Sequence, residues 1–301
     1  MTSFEAAAGG LQCGYAATPG GQIHYCEAGQ GEAILLLHST PRSLRSFRHV
    51  LPLLGSKLRA IAVDTPGFGG SPRLSDGFSI ETLAGSLIDF MDAMKIERAH
   101  VFGLHTGNKI AAALACGWPE RLISVVLAGQ THSIHPDPPA RNAAIRAFLT
   151  RYTPLHASGV AGDDALRDWV GAHATVQGFW WPATVLRPPH PDPHEVEHAH
   201  AKVLDYLQGW TSVMPMYDAI LAFDLMEAIG RIKVPALVLE LLTADEAHFG
   251  AQGPKLCAAM PAATYAALDD ADGSVLETRA SELAGKLLAF LERVRASRAR
   301  A

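Results

Sequence analysis

The chain of 301 residues is 49% hydrophobic and 18% charged, a composition that allows a sizeable buried core and excludes a wholly disordered chain. Its length fits one large domain, or one domain with a substantial insertion. The net charge of −5, without a large basic block, excludes nucleic acid as an expected partner.

Short apolar segments alternate with helical patterns from Ala33 onward. Apolar residues on both faces and flanking turn residues predict six strands of a buried parallel sheet, at 33–39, 58–66, 99–105, 122–129, 235–242 and 264–270. Apolar residues at helical spacing predict helices at 44–54, 81–96, 108–117, 254–260 and 281–294. Upstream, Pro19-Gly20-Gly21 joins two segments that predict an antiparallel hairpin at one edge. The alternation predicts an α/β fold with helices on both faces of the sheet.

The alternation stops between about His132 and Met226, where the chain is rich in proline, histidine and aromatic residues and its pattern is helical. An insertion at this point would lie over the carboxyl ends of the strands, where open α/β sheets bind ligands. We therefore expect a helical cap at 132–226 between two parts of one core, 1–131 and 227–301.

Residues 103–107 read GLHTG, between a strand-like segment and an alanine-rich helical segment. This is the frame of a nucleophile elbow, whose usual pattern is G-x-S-x-G with the reactive serine in the middle. His105 therefore occupies the place of the nucleophile.

Four segments in this order resemble the α/β-hydrolase superfamily, especially capped members such as epoxide hydrolases and C–C hydrolases. Residues 35–43 resemble the oxyanion loop, 62–71 the D-x-P-G-F-G-x-S loop, 103–107 the elbow, and 231–242 the segment that leads to the catalytic acid. The resemblance covers nearly the whole chain and implies a mostly parallel sheet of about eight strands with a helical cap.

The resemblance also implies a nucleophile, a base and an acid, and all three positions are unusual here. His105 replaces the serine, and no histidine follows His248. The expected place of the base falls nearest Asp272 or Gly273, and Asp245 best matches the acid. The sequence therefore excludes a standard serine hydrolase.

The leading hypothesis makes His105 a general base, or alternatively a nucleophile, paired with Asp272 or Asp245. A carboxylate would raise the pKa of the imidazole and the helix N-terminus would lower it, so we expect a value near neutrality. The backbone N–H of Thr106, with that of Ser39 or Thr40, is the expected oxyanion hole.

Five other side chains are candidates for the site, each with a plain structural alternative. Ser39 is either a displaced nucleophile or a polar loop residue, and Arg42 either binds a substrate carboxylate or is a solvated arginine. His132 is expected at the pocket rim, as is His135, and His248 is the histidine that could replace the missing base. For all three histidines, an ordinary surface position is the alternative.

Residues 194–198 read HEVEH and match the H-E-x-x-H zinc signature. No third ligand lies at a recognised spacing, and the helical wheel places His194 and His198 opposite the apolar face of their helix. We therefore expect no metal and no cofactor.

The first ten residues lack a positive region followed by an apolar one, so no signal peptide is expected, and no apolar run is long enough to span a bilayer. Cys13, Cys26, Cys116 and Cys257 are scattered, which predicts free thiols. These features predict a cytoplasmic protein with no membrane partner; a homodimer is left open.

The expected function is hydrolysis of an ester, a lactone or a C–C bond in a small, partly apolar substrate. Two alternatives remain open: a lyase or isomerase on the same fold, since loss of the serine removes the route to an acyl-enzyme, and a catalytically inactive ligand-binding homologue.

Overall fold

The computed structural model describes residues 10–150, 167–174, 193–271 and 274–300, without the side chains of 193–195, 197 and 198. An eight-stranded sheet forms its centre, in the order β1-β2-β4-β3-β5-β6-β7-β8. The strands are β1 (Gln12–Thr18), β2 (Gly21–Ala28), β3 (Ala33–Leu37), β4 (Arg59–Val63), β5 (Ala99–Leu104), β6 (Leu122–Gln130), β7 (Ala236–Leu241) and β8 (Ala263–Leu268). Strand β2 pairs antiparallel with β1 and β4, and all other neighbours are parallel. The predicted sheet and edge hairpin are confirmed.

The helices are α1 (Val50–Gly55), α2 (Ile80–Ala93), α3 (Thr106–Gly117), α4 (Thr131–Ile134), α5 (Pro138–Leu149), α6 (167–174), α7 (Pro193–Ala222), α8 (Leu225–Arg231), α9 (Gly253–Ala259), α10 (Val275–Thr278) and α11 (Ala280–Arg298). Short 3₁₀ helices lie at Leu44–Phe47, Pro119–Arg121 and Ala244–Phe249. None of the helices in the described ranges is long and apolar enough to cross a membrane.

Side-chain alternation along the strands creates two apolar layers. Leu35 and Leu37 of β3 pack in the layer that contains residues of α2 and α3, whereas Ile34 and Leu36 pack in the layer that contains residues of α1 and α11. Successive side chains of a strand point to opposite faces, so a strand that is apolar throughout buries both of them. Each such leucine contributes about 1.5–3 kcal/mol to folding. Packing on both faces thus sets where the strands end and where the loops at their carboxyl ends begin.

The helix expected at 44–54 is divided into the 3₁₀ helix Leu44–Phe47 and α1. Pro52 explains the division, because a continuous helix would require an N–H at this residue to bond the carbonyl of Arg48. With α1 beginning at Val50, Pro52 lies in the first turn, where no intrahelical acceptor is needed.

Between β6 and β7 the described residues form α4 to α8, as the composition of this stretch predicted. Val203 on α7 is buried, and Leu207 and Trp210 on the same side of that helix are half-buried. Residues 151–166 and 175–192 lie outside the described residues. The division into a core and a cap at 132–226 stays a prediction.

The expectation of four free thiols is wrong, because Cys13 and Cys26 form a disulfide. The two residues face each other across the β1–β2 hairpin, with Cα atoms 4.0 Å apart. Antiparallel pairing produced this contact between cysteines that looked scattered in the sequence. Cys116 and Cys257 are free thiols, as expected.

Candidate active site

The nucleophile-elbow geometry is present at His105, which joins β5 to α3 with φ 49° and ψ −106°. Such a backbone is rare for a residue with a side chain and costs on the order of 1–3 kcal/mol. The His105 N–H donates to the carbonyl of Ala128 at 2.9 Å, which holds the turn against β6. The turn also needs its glycines: a Cβ on Gly103 would lie 2.1 Å from the carbonyl oxygen of Gly107. The elbow prediction is correct in position and conformation.

A cavity of about 60 Å³ lies over this turn. Polar groups from the oxyanion loop, the elbow and the start of α4 share its wall with apolar side chains of α5 and α7. The lining residues are Ser39, Thr40, His105, Thr106, Lys109, Gln130, His132, Ser133, Ile145, Phe148, Tyr217 and Ile220. Most of the lining residues carry polar groups, and the space they enclose is smaller than an ordinary ligand pocket.

The imidazole of His105 is neutral and has a defined tautomer. The N–H of Gln130 donates to Nδ1 at 3.4 Å, and Ser133 Oγ lies 3.1 Å from the same nitrogen. Because an amide N–H can only donate, Nδ1 is an acceptor and the ring proton resides on Nε2. Nε2 has no hydrogen-bond partner in the described part of the chain.

Burial lowers the pKa of His105 to about 3, with smaller contributions from His132 and Lys109. The expectation of a value near neutrality is therefore wrong. That expectation required a carboxylate beside the ring. The neighbours of the imidazole in the described structure are instead neutral or cationic groups, namely Gln130, Ser133, His132 and Lys109.

The imidazole–carboxylate pair of this cavity is formed by His132 and Glu246. Nδ1 of His132 contacts the Glu246 carboxylate directly. The same carboxylate accepts the N–H groups of Thr131 at 3.2 Å and His132 at 3.1 Å, and the hydroxyl of Thr243 at 3.0 Å. The Nδ1–H is thus directed at the carboxylate, so in the neutral ring the unprotonated nitrogen is Nε2.

Comparisons with known proteins agree with this architecture. A family model described as the alpha/beta hydrolase fold matches residues 32–153. Among solved structures, the enol-lactonase from Burkholderia xenovorans LB400 superposes with a TM-score of 0.71 at 26% identity, covering 93% of this chain and all of that one. The chain is an α/β-hydrolase-fold protein.

Curated relatives match a shorter segment of this α/β-hydrolase-fold protein. A 2-hydroxy-6-oxononadienedioate/2-hydroxy-6-oxononatrienedioate hydrolase of Paraburkholderia xenovorans LB400 is 37% identical over 114 residues, which are 36% of this chain and 39% of that protein. Bifunctional epoxide hydrolase 2 of Sus scrofa is 32% identical over 110 residues, again 36% of this chain but 20% of that protein. The alignments thus span well under two thirds of these relatives.

The structure changes which residue after β7 is the candidate acid. Asp245 is exposed and does not line the cavity, whereas Glu246, the next residue, is buried against α4. The two lie on a 3₁₀ helix, where neighbouring side chains point in different directions, so a shift of one residue decides which carboxylate faces inward. Asp272 and Gly273, at the expected place of the base, lie outside the described residues.

His248 is not the replacement base in this structure. It is exposed on the same 3₁₀ helix, and its ring packs on Phe249 with centroids 4.2 Å apart, outside the cavity. His135 is buried against Phe249 and also lies outside the cavity wall, so of the two rim candidates only His132 lines the cavity. Sequence reasoning named His132 only for the rim, because its carboxylate partner is distant in the chain.

The predicted oxyanion residues Ser39, Thr40 and Thr106 all line the cavity. The N–H of Thr40 donates to Thr106 Oγ1 at 3.2 Å, so this amide already has an acceptor. Thr106 is the first residue of α3, where a backbone N–H has no intrahelical acceptor. The amides of Thr106 and Ser39 stay the predicted pair of oxyanion donors.

Arg42 has neither of its predicted roles, since it is buried in an ion-pair cluster and does not line the cavity. Its guanidinium donates to Glu277 at 3.0 Å and lies 3.8 Å from Asp205. Asp205 also pairs with Arg45, and Glu277 with Lys202. A buried arginine with these partners links the oxyanion loop to α7 and α10 and is a structural element.

No group of three or more potential metal ligands occurs within the described ranges. The side chains of His194 and His198, which belong to the zinc-like motif, lie outside the described residues. Of the histidines at the cavity, both His105 and His132 have polar partners that account for their positions.

Proposed function

We propose that the protein is a hydrolase that cleaves an ester, a lactone or a C–C bond of a small, partly apolar substrate without a cofactor. The observation that supports it is the His132–Glu246 pair in the wall of a cavity at the nucleophile elbow. Hydrolase names among the relatives of this fold are consistent with the proposal, as is the enol-lactonase among its structural neighbours.

In this proposal His132 is the general base. Its Nε2 removes a proton from a water molecule, and the hydroxide attacks the substrate carbonyl carbon. Glu246 stabilises the imidazolium that forms and fixes the ring orientation. The imidazolium then returns the proton to the leaving alkoxide or carbanion, so that the water is added across the cleaved bond and the enzyme is regenerated.

His105 has a different role, that of a hydrogen-bond donor. A ring with a pKa of about 3 stays neutral at physiological pH, and its proton resides on Nε2. A neutral imidazole N–H at a helix N-terminus can polarise a carbonyl and stabilise the negative charge on its oxygen. We assign it this role beside the N–H of Thr106, in place of the base or nucleophile role suggested by the sequence.

The test is a kinetic comparison on a panel of esters, lactones and β-diketones. His132→Gln removes the base and is expected to lower kcat by about 10²–10⁴-fold. Glu246→Gln is expected to lower kcat as well, whereas His248→Gln, an exposed histidine outside the cavity, serves as the matched control. If His132→Gln has the same kcat as the wild type on every substrate that the wild type hydrolyses, the assignment of His132 as the base is refuted.

A second pair of variants separates donor from base at His105. The amide side chain introduced by His105→Gln keeps an N–H near the position of Nε2 but has no basic nitrogen, whereas His105→Ala has neither. If His105 is a donor, His105→Gln retains more kcat than His105→Ala, with a loss in the alanine variant of about 10²–10³-fold. Equal loss in both variants supports the base role instead.

Lyase or isomerase chemistry is a second candidate, favoured by the absence of a serine at the elbow. A base and a neutral donor around one cavity can also move a proton next to a carbonyl group. Turnover in H₂¹⁸O distinguishes the reactions, because hydrolysis incorporates the label into product and isomerisation does not. A folded protein that binds ligands from the panel without converting any is the inactive homologue.

A further inference from the structure

Lys109 is a buried lysine that the proposed hydrolysis does not use. It lies one helical turn after His105 on α3, is 1% exposed and lines the same cavity. Its amine makes no hydrogen bond or ion pair anywhere in the described structure. Lys202 provides the contrast, since it is equally buried but pairs with Glu277 at 3.3 Å.

An isolated ammonium group in such a place is costly, because burial removes its hydration and no carboxylate compensates. Burial therefore lowers the pKa of Lys109 well below its usual range, and the nearby guanidinium of Arg141 lowers it further. A lysine that is desolvated and next to another cation therefore has a larger neutral fraction than a solvated lysine, and the neutral amine is the form that reacts with carbonyl compounds.

We propose that Lys109 is a nucleophilic amine that forms an imine with a small aldehyde or ketone bound in the cavity at the elbow. Imine formation requires a reactive amine and a space beside it for a carbonyl group. The cavity supplies this space. Its volume of about 60 Å³ selects a short-chain compound. His105, which shares the wall, presents a proton-bearing Nε2 as a hydrogen-bond donor for the carbonyl oxygen.

The reaction balances without an external oxidant or reductant. The Nζ lone pair attacks the carbonyl carbon, and one amine proton moves to the oxygen to give a carbinolamine. The second amine proton joins the hydroxyl, water leaves, and the remaining nitrogen lone pair completes the C=N bond. His132, whose Nδ1 contacts the Glu246 carboxylate, can relay both protons through Nε2. This activity goes beyond hydrolysis, since it needs no water as a nucleophile.

The experiment traps the imine by reduction. Wild-type protein is incubated at pH 7 with propanal and sodium cyanoborohydride, which converts an imine to a stable N-propyl amine, and lysine labelling is mapped by peptide mass spectrometry. Solvated lysines are protonated at this pH and react slowly. We expect Lys109 to be labelled at least tenfold faster than exposed Lys57 and than Lys202, the buried but ion-paired control.

Two further measurements keep the result interpretable. The labelling rate of Lys109 relative to Lys57 should increase when the pH is lowered from 8 to 6, because the amine with the lower pKa loses less of its neutral form. Both rates are measured in the same folded protein, so a change in folding does not affect the comparison. Lys109→Met, which replaces the amine by an apolar chain of similar length, should lose the fast site alone. Lys109 labelled no faster than Lys57 or Lys202 would overturn the proposal. Because no hydrolytic substrate is present, this failure is distinct from failure of the proposed hydrolysis.

Discussion

The neutral state of His105 predicts how the stability of the protein depends on pH. The perturbation is His105→Asn, which removes the titrating ring and places at the elbow a residue type that tolerates a positive φ. In the native protein the ring has a pKa of about 3, against 6.5 for the unperturbed side chain. The unfolded chain therefore binds a proton between these values while the native state does not.

The sign and size of the effect follow from this difference. Stability rises with pH wherever the unfolded state binds more protons, so this ring destabilises the fold as the pH falls below 6.5, and the loss continues to about 3. Between pH 7 and pH 5 the His105 ring lowers the free energy of unfolding by about 2 kcal/mol. This is an upper value, because water in the cavity would restore part of the hydration of the ring.

The assay is urea unfolding of the wild type and His105→Asn at pH 7 and at pH 5. His38 and His100 also have pKa values lowered by burial, but their contribution is the same in both proteins and cancels in the comparison. When the pH is lowered from 7 to 5, the free energy of unfolding of the variant should decrease by up to about 2 kcal/mol less than that of the wild type.

The control is His248→Asn, which removes an exposed imidazole outside the cavity and accounts for any general effect of losing a histidine. Parallel pH dependence of the wild type and His105→Asn would refute the reasoning. The ring would then be protonated or well hydrated in the native state, and its role as a neutral donor would fail.

Three other outcomes are expected from the structure. Thiol titration of the denatured, unreduced protein should find two thiols, rising to four after reduction of the Cys13–Cys26 disulfide; four thiols before reduction would contradict the pairing. Glu277→Gln should lower the free energy of unfolding by about 3–5 kcal/mol, because it removes the carboxylate that pairs with buried Arg42 and Lys202. Glu282→Gln, in an exposed pair, should change the free energy of unfolding by less than about 1 kcal/mol. Gly107→Ala should lower the free energy of unfolding by about 1–3 kcal/mol or prevent folding, since its Cβ would lie 2.4 Å from a carbonyl oxygen of β3. An unchanged urea midpoint would refute this close approach.

Local patterns in the sequence predict the sheet, the flanking helices and the elbow at His105. These features depend on local rules: apolar runs that are buried on both faces, helical spacing between them, and glycines two residues before and after the turn residue. Each signal is contained within about twenty residues, so it can be recognised without knowing what the segment packs against.

Which side chains meet at the cavity depends on contacts between distant parts of the chain, and local patterns do not predict these contacts. His132 and Glu246 are separated by more than a hundred residues, and the choice between Asp245 and Glu246 depends on the rotation of a short 3₁₀ helix. Arg42 likewise looked like a surface or substrate-binding residue until its buried partners were known. Residue type determines what a group can do chemically, but its pKa and partners depend on burial and on the neighbours that folding brings to it.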